Sequence, residues 1–256
     1  MAITHVTIVT GASRGLGEAL TQRLLAPNHQ LVCLARKRNE ALLQQAATLG
    51  VQLTWVEQDL AELTESGGAE AFMKELLSRT AYQSAAHIRL INNAGMLDPI
   101  GAASSNASED VARHIAVNLT APLVLSAAFL RETEHLSSDK RLMQISSGAG
   151  RHPYAGWSAY CATKAGLDHF SRCVKLEQEG LPHGARIASV APGVIDTAMQ
   201  ATIRSAGEER FPSHARFVEM YETGSLTLPQ EAAGKLIAYL EDDRFGEEVI
   251  ADIRNW

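Results

Sequence analysis

Short apolar runs alternate along this chain with longer stretches whose apolar positions recur every three to four residues. Thr4–Thr10 is β-branched and predicts a strand, and Gly15–Ala26 a helix stopped near Pro27. The alternation continues with a strand at Gln30–Arg36, a helix at Asn39–Leu49 and a strand at Val51–Glu57. A Gly67-Gly68 break precedes a helix at Glu70–Ser78. His87–Asn93 predicts the fourth strand, Ser108–Leu136 a long helix, and Arg141–Ser147 the fifth strand. A second long helix is expected at Ser158–Glu179, a strand at Arg186–Ala191, a helix at Pro229–Leu240 and a short last strand at Glu248–Ala251.

Strands that alternate with helices of this length imply right-handed crossovers and a parallel sheet covered on both faces. The expected architecture is α/β, a doubly wound parallel sheet of the Rossmann type in a single domain spanning 1–256. Ligands of such sheets sit outside the carboxyl ends of the strands. The segment 198–228 fits the alternation poorly and carries Gly207, Pro212 and Gly224. It is read as a mobile substrate lid, the alternative being an ordinary surface excursion.

Composition narrows the partners. Apolar residues make up 46% and charged residues 20%, with a net charge of −6 and no Lys/Arg run of five. This argues against nucleic acid. Cys33, Cys161 and Cys173 form no CxxC pair, which suits a reducing cytosol. The first strand-like run begins at Ile3 without a basic leader, so a cytoplasmic location is expected. Ala116–Leu130 is apolar but reads as too short and too polar to span a membrane. The nine histidines show no HExxH pattern, and no metal is expected.

Thr10-Gly11-Ala12-Ser13-Arg14-Gly15-Leu16-Gly17 links the first strand to the first helix. Glycines there permit a tight turn and close approach of a pyrophosphate to the helix N-terminus, whose free N–H groups and dipole attract anions. No Gly-Lys-Ser/Thr follows, which excludes an NTPase loop. After the second strand stand Arg36 and Lys37, with Arg14 in the loop and no acidic residue until Glu40. Basic residues there accommodate the 2′-phosphate of NADP(H). The bland reading, a solvated helix start, places cations against the helix dipole.

Tyr160 and Lys164 are four residues apart and share a helix face. A nearby ammonium is expected to lower a phenol's pKa and fit it to proton transfer. Ser147 is placed at the end of the fifth strand, where its hydroxyl meets an oxygen that gains charge. Asn92-Asn93-Ala94-Gly95 ends the fourth strand with small residues near the cofactor. Pro122, four residues after Asn118, lacks an N–H and predicts a kink with a free carbonyl, suited to a proton relay or merely incidental.

These residues closely resemble the short-chain dehydrogenase/reductase family over nearly the whole chain. The match runs through the loop at 10–17, Asp59-Leu60, Asn93-Ala94-Gly95, Asn118, Ser147, Tyr160, Lys164, Pro192-Gly193-Val194 and Thr197. The resemblance implies that Asp59 touches the adenine, Ser147 binds the substrate oxygen and Tyr160 is the acid/base. It also implies that Lys164 holds the nicotinamide ribose, that Ser13 and Leu16 line the cofactor, and that Thr197 contacts the carboxamide. The second half is similar to the sepiapterin reductase group and to bacterial relatives that reduce 1,2-diketones such as benzil, through Gly156-Trp157-x-x-Tyr160 and the stretch from Ala191 to Met199. It implies substrate contacts from Trp157 and Asp252, the latter as an anchor for a donor-bearing substrate. A solvent-facing Asp252, or one paired with Arg254, stays open.

The expected function is NADPH-dependent reduction of a ketone, a 1,2-diketone or a pterin side-chain ketone. The competing readings are a non-catalytic NADPH sensor and an NAD-dependent alcohol dehydrogenase. A homo-oligomer, dimer or tetramer, is expected from the resemblance.

Overall fold

The computed structural model describes residues 2–64 and 68–256. In chain order, β1 (His5–Thr10) leads into α1 (Gly15–Arg23), β2 (His29–Ala35) into α2 (Glu40–Thr48), and β3 (Gln52–Glu57) into α3 (Gly68–Ser78). β4 (His87–Asn92) leads into α4 (Ser108–Ile115), which a π turn at Ala116–Thr120 joins to α5 (Ala121–Thr133). β5 (Asp139–Ile145), α6 (Ser158–Gln178) and β6 (Arg186–Ala191) follow. The short helices α7 (Ala198–Ser205), α8 (Gly207–Arg210) and α9 (His214–Glu222) precede α10 (Pro229–Glu241) and β7 (Ile250–Asp252).

The described strands form one parallel sheet in the order β3-β2-β1-β4-β5-β6-β7. Its central strands are buried on both faces; every residue of β2 is buried. That is why they read as unbroken apolar runs rather than alternating ones. On one face Leu16, Leu20, Leu236 and Leu240 of α1 and α10 pack on Val9, Ile91 and Val190. On the other, Met73, Leu125, Phe129 and Val174 of α3, α5 and α6 cover Ile8, Val32 and Leu90. Sheet order reverses between β1 and β4, which opens a crevice at their carboxyl ends.

Several expectations are refined or corrected. At Pro122 the expected kink takes the form of a π turn spanning Ala116–Thr120, and the long helix runs on as expected. One wider turn absorbs the missing N–H, a device common at functional sites. From Ser108 to Thr133 the helix is therefore 26 residues, long and apolar enough to cross a membrane by length and composition, not too short. Here its apolar side packs on the sheet, with Leu125 and Phe129 at 1% and 0% exposure. β5 stops at Ile145, so Ser147 lies two residues beyond it and caps a single 3₁₀ turn, Gly148–Gly150, accepting from the Ala149 N–H at 3.2 Å. The last strand sits two residues later at its start than expected, at Ile250–Asp252. Gly68 already belongs to α3, and Gly67 lies outside the described residues.

At the opposite, amino end of the sheet, His5 is in register with both His29 and His87. Its ring meets theirs at 4.5 and 4.4 Å. Burial, and then the charges of His29 and the buried Arg89, push His5 down to about 4 from 6.5. The unfolded chain therefore binds more protons than the folded one between those values, and stability falls as pH drops through that window. Thermal melts from pH 6.5 to 4 should show a falling Tm, with a shallower slope in His5→Gln; equal slopes would contradict the role of His5.

Candidate active site

The phosphate loop is stitched to the end of β4. Thr10 Oγ1 accepts from the backbone N–H groups of Asn93 and Ala94, both at 3.0 Å. Asn93 Nδ2 donates to the carbonyls of Thr10 and Gly11 at 3.0 and 3.2 Å. Close approach explains Gly17: a Cβ there would lie 2.1 Å from the Gly11 oxygen and 2.5 Å from Asn93 Nδ2. Gly11 itself turns at φ +69°, where side chains are strained. The N-cap of α1, Arg14, makes no side-chain cap, so the first N–H groups of the helix face the loop uncapped, as a phosphate site requires. Asn39 ties this loop to the next element by donating to the Ser13 carbonyl at 3.0 Å while capping α2 through Leu42 N. Leu16 turns inward into the core. These features fit a dinucleotide pyrophosphate.

At the end of β2, Arg38 pairs with Glu57 at 2.9 Å. Exposed Arg14, Arg36 and Lys37 are in no salt bridge among the described residues. Asp59 Oδ2 accepts from Arg113 at 2.6 Å and Oδ1 from Ala61 N at 3.0 Å. Burial works to raise the Asp59 carboxyl, but these bonds and the Arg113 charge hold it below the ordinary range. Gly15 brings the loop against Thr197, the N-cap of α7, whose Cγ2 would lie 3.2 Å from a Cβ at 15. Pro192, Gly193 and Val194 follow β6 directly, and Thr227 N clamps the Val194 carbonyl at 3.0 Å. Loop, Thr197 and the 192–197 turn therefore stand around one crevice. Among the described residues no three His, Cys, Asp or Glu side chains gather as a metal site would need.

Tyr160 and Lys164 lie in the first two turns of α6, buried at 8% and 5% exposure. The ammonium donates to the Ile145 carbonyl at 2.8 Å and stands 5.7 Å from the centre of the Tyr160 ring. Gly95 borders it: a Cβ there would lie 3.9 Å from Lys164 Nζ and 3.6 Å from Asn118 Oδ1. Asn118 holds the backbone of Met96 at both ends, accepting from its N–H at 2.8 Å and donating to its carbonyl at 2.7 Å. Burial pushes the Tyr160 phenol above 10, and the hydrogen bond with Ser147 works the other way. The expected lowering by Lys164 is not what the geometry produces, because the ammonium is tied to a backbone carbonyl and the whole pair is buried. Burial brings Lys164 itself down to about 8, against the opposing charge of Asp168. At neutral pH Tyr160 thus keeps its proton and Lys164 most of its charge, the pairing a proton donor needs.

Asp168, one turn past Lys164, was not anticipated. It is 2% exposed and accepts from Ser146 and Ser189 hydroxyls, both at 2.6 Å. Arg151 bridges it at 3.4 Å and donates to the Ala251 carbonyl of β7 at 2.9 Å. This buried carboxylate pins α6 to the turn after β5, to β6 and, through Arg151, to β7.

The segment after β6 carries three short helices, and α7, α8 and α9 close over Trp157. Its indole stacks on Phe211 with centroids 4.3 Å apart, tilts on Phe217 at 5.4 Å and meets Tyr160 edge-on at 5.7 Å. Leu97, Ile100 and Ile203 complete this apolar roof. Arg210 latches it by two bonds, at 3.0 and 2.7 Å, to the Ile100 carbonyl. A cleft of about 460 Å³ beside the latch is lined by Pro99, Ser105, Asp110 and Glu209 and by none of Asn118, Ser147, Tyr160 or Lys164. Phe211 and Phe217 gave no sequence signal, standing isolated in a polar stretch. Asp252 reaches the carboxyl end of the sheet in register with Ala191. Both its oxygens are engaged by Arg254, at 2.9 and 2.6 Å, which is the pairing the sequence left open.

Comparison with known proteins agrees with this geometry. The family profile described as short chain dehydrogenase matches residues 5–208. A benzil reductase ((S)-benzoin forming) of Bacillus subtilis (strain 168) is 41% identical over 234 residues, 91% of this chain and 92% of that protein. Mouse (Mus musculus) sepiapterin reductase is 30% identical over 249 residues, covering 94% and 93%. The crystal structure of the KRED1-Pglu enzyme superposes with a TM-score of 0.79 at 30% identity, covering 96% of this chain and 99% of that one. With a parallel sheet, a glycine-rich phosphate loop and a buried Tyr/Lys pair under one profile, the chain belongs to the short-chain dehydrogenase/reductase family, whose oxidoreductases bind nicotinamide cofactors.

Proposed function

We propose that the protein is an NADPH-dependent carbonyl reductase acting on aromatic 1,2-diketones of the benzil type. The observation that carries this reading is the buried Tyr160, standing edge-on to Trp157 beneath an aromatic roof, with Ser147 beside it and burial pushing the pKa of its phenol up. The cofactor, when bound, supplies a hydride to the carbonyl carbon. Tyr160 gives its proton to the carbonyl oxygen as charge develops there, and the Ser147 hydroxyl donates to the same oxygen. Lys164 keeps a positive charge beside that phenol, and the N–H groups not given to the Ile145 carbonyl would hold the cofactor ribose. Asp59 is the adenine-side residue and Thr197 the carboxamide-side one. Trp157, Phe211 and Phe217 exclude water and offer flat apolar surface to aryl groups. A pterin side-chain ketone is the second reading, because Asp252 stands at the same end of the sheet. We place the enzyme in the cytoplasm as a homo-oligomer without nucleic-acid or membrane partners; exposed Ile115 and Leu176 on the long helices are available for self-association.

NADPH over NADH follows from Arg14, Arg36 and Lys37, which are exposed at the phosphate loop and after β2 and are in no salt bridge among the described residues, free to meet a 2′-phosphate. Charge-assisted bonds of this kind contribute roughly 1.5–3 kcal/mol, about 10–100-fold in affinity. Arg36→Ala should therefore raise KM for NADPH about tenfold or more and leave KM for NADH nearly unchanged. Equal effects on both cofactors, or none, would rule out a 2′-phosphate contact.

A further inference from the structure

His114 is an imidazole that the proposed mechanism leaves unused. It is 0% exposed on the last turn of α4, one turn before Asn118. Its Nδ1 stands 2.7 Å from the Asp98 carbonyl oxygen. A carbonyl only accepts, so Nδ1 carries the hydrogen, and in the neutral ring Nε2 is left as an acceptor. Nε2 faces Asn118 Nδ2 at 3.0 Å and the Thr163 hydroxyl at 3.4 Å. Thr163 already donates to the Tyr160 carbonyl at 2.9 Å, which leaves the Nε2 lone pair to Asn118. Both amide hydrogens of Asn118 are then placed, one on His114 and one on the Met96 carbonyl, while Oδ1 takes the Met96 N–H. The ring also stands edge-on to Tyr160, with centroids 6.0 Å apart.

We propose that His114 is a positioning residue for the reduction: as the neutral Nδ1–H tautomer it fixes the amide of Asn118, and through it the Met96 strap beside Lys164, in the single orientation that satisfies every partner. Protonation would undo this. A hydrogen on Nε2 would point at the Asn118 NH₂, donor against donor, and turning the amide over would set its NH₂ against the Met96 N–H. The charged groups facing the ring are the Lys164 ammonium on α6 and Asp98 in the loop before α4, with the Tyr160 phenol beside them. Burial first, and then the Lys164 charge, outweigh the Asp98 contacts and hold His114 below the ordinary imidazole range. The site therefore keeps its order at neutral pH and loses it only on the acid side.

The kinetic arm of the test rests on the carbonyl-reductase reading; the spectroscopic arm does not. In the first, kcat for benzil with saturating NADPH is followed downward from pH 7.5 in the parent and in His114→Gln, which offers an acceptor but does not titrate. The parent should lose activity below pH 6.5, about tenfold per pH unit beyond the limb. The variant should lack that limb and stay within about tenfold of the parent at pH 7.5. Acid weakening of the His5 cluster is common to both chains, so their difference isolates His114. A limb unchanged in the variant overturns the proposal, as does a loss uniform across pH. If the variant does not fold or the parent reduces no ketone, ¹⁵N-edited NMR of the parent decides. Nδ1–H with a bare Nε2 at pH 7.5, remaining neutral to below pH 6.5, supports the positioning role; an Nε2–H tautomer or a charged ring at pH 6.5 overturns it.

Discussion

Tyr160→Phe should lower kcat by about 10²–10⁴-fold, the range that general acid catalysis supplies, while the affinity for NADPH stays at the parental level. The ring contacts with Trp157 and His114 involve the face and edge of the aromatic system, not the hydroxyl, and phenylalanine keeps them. What is lost is the proton that burial holds on the phenol at neutral pH, together with the hydrogen bond to Ser147. Steady-state kinetics with a fluorescence titration of NADPH separate the two effects. A variant with near-parental kcat would show that the proton comes from elsewhere. A variant that also fails to bind NADPH would show that the hydroxyl holds the cofactor rather than the reaction.

Gly17→Ala should be nearly as damaging, by a different route. The added carbon would fall 2.1 Å from the Gly11 oxygen and 2.5 Å from Asn93 Nδ2, and backbone cannot yield as a flexible side chain does. The start of α1 must move away from the loop, and the uncapped N–H groups no longer converge on one anion. Losing a single charge-assisted bond of about 1.5–3 kcal/mol predicts NADPH affinity weakened by about 10–100-fold. The fold should survive, since Leu16, Leu20 and α10 still bury the helix's apolar side. Calorimetric titration of NADPH, with a thermal melt as control, checks this. Parental affinity in a folded variant would contradict the assignment of the loop to the pyrophosphate.

Much of this was legible because the relevant signals are local. Gly11, Gly15 and Gly17 lie within one turn of chain, and Tyr160 and Lys164 within one turn of helix, so spacing alone brings them together. The central strands were legible because parallel strands buried on both faces are apolar throughout. Ser147 was placed on β5 because its polarity gave no boundary; the last strand-like bond, from Ser146 N to Val190 O, comes just before the chain turns. The roof over Tyr160 was not legible. Phe211 and Phe217 reach Trp157 only through the folding of α7 to α9, a contact across more than fifty residues that no period records. His114 and Asp168 each lie four residues from a recognised side chain, on the same helix face, and that spacing could have revealed both. The phenol's acidity is not legible from spacing, because a shared helix face fixes neighbours but not burial, and burial is the largest influence here.

The most direct measurement follows NADPH oxidation by the purified protein in the presence of benzil, with NADH in parallel and with chiral separation of the product. Consumption of one NADPH per benzoin formed, with a clear preference over NADH and a single dominant enantiomer, is the expected result. A protein that binds NADPH yet consumes none with benzil or any other 1,2-diketone would contradict it.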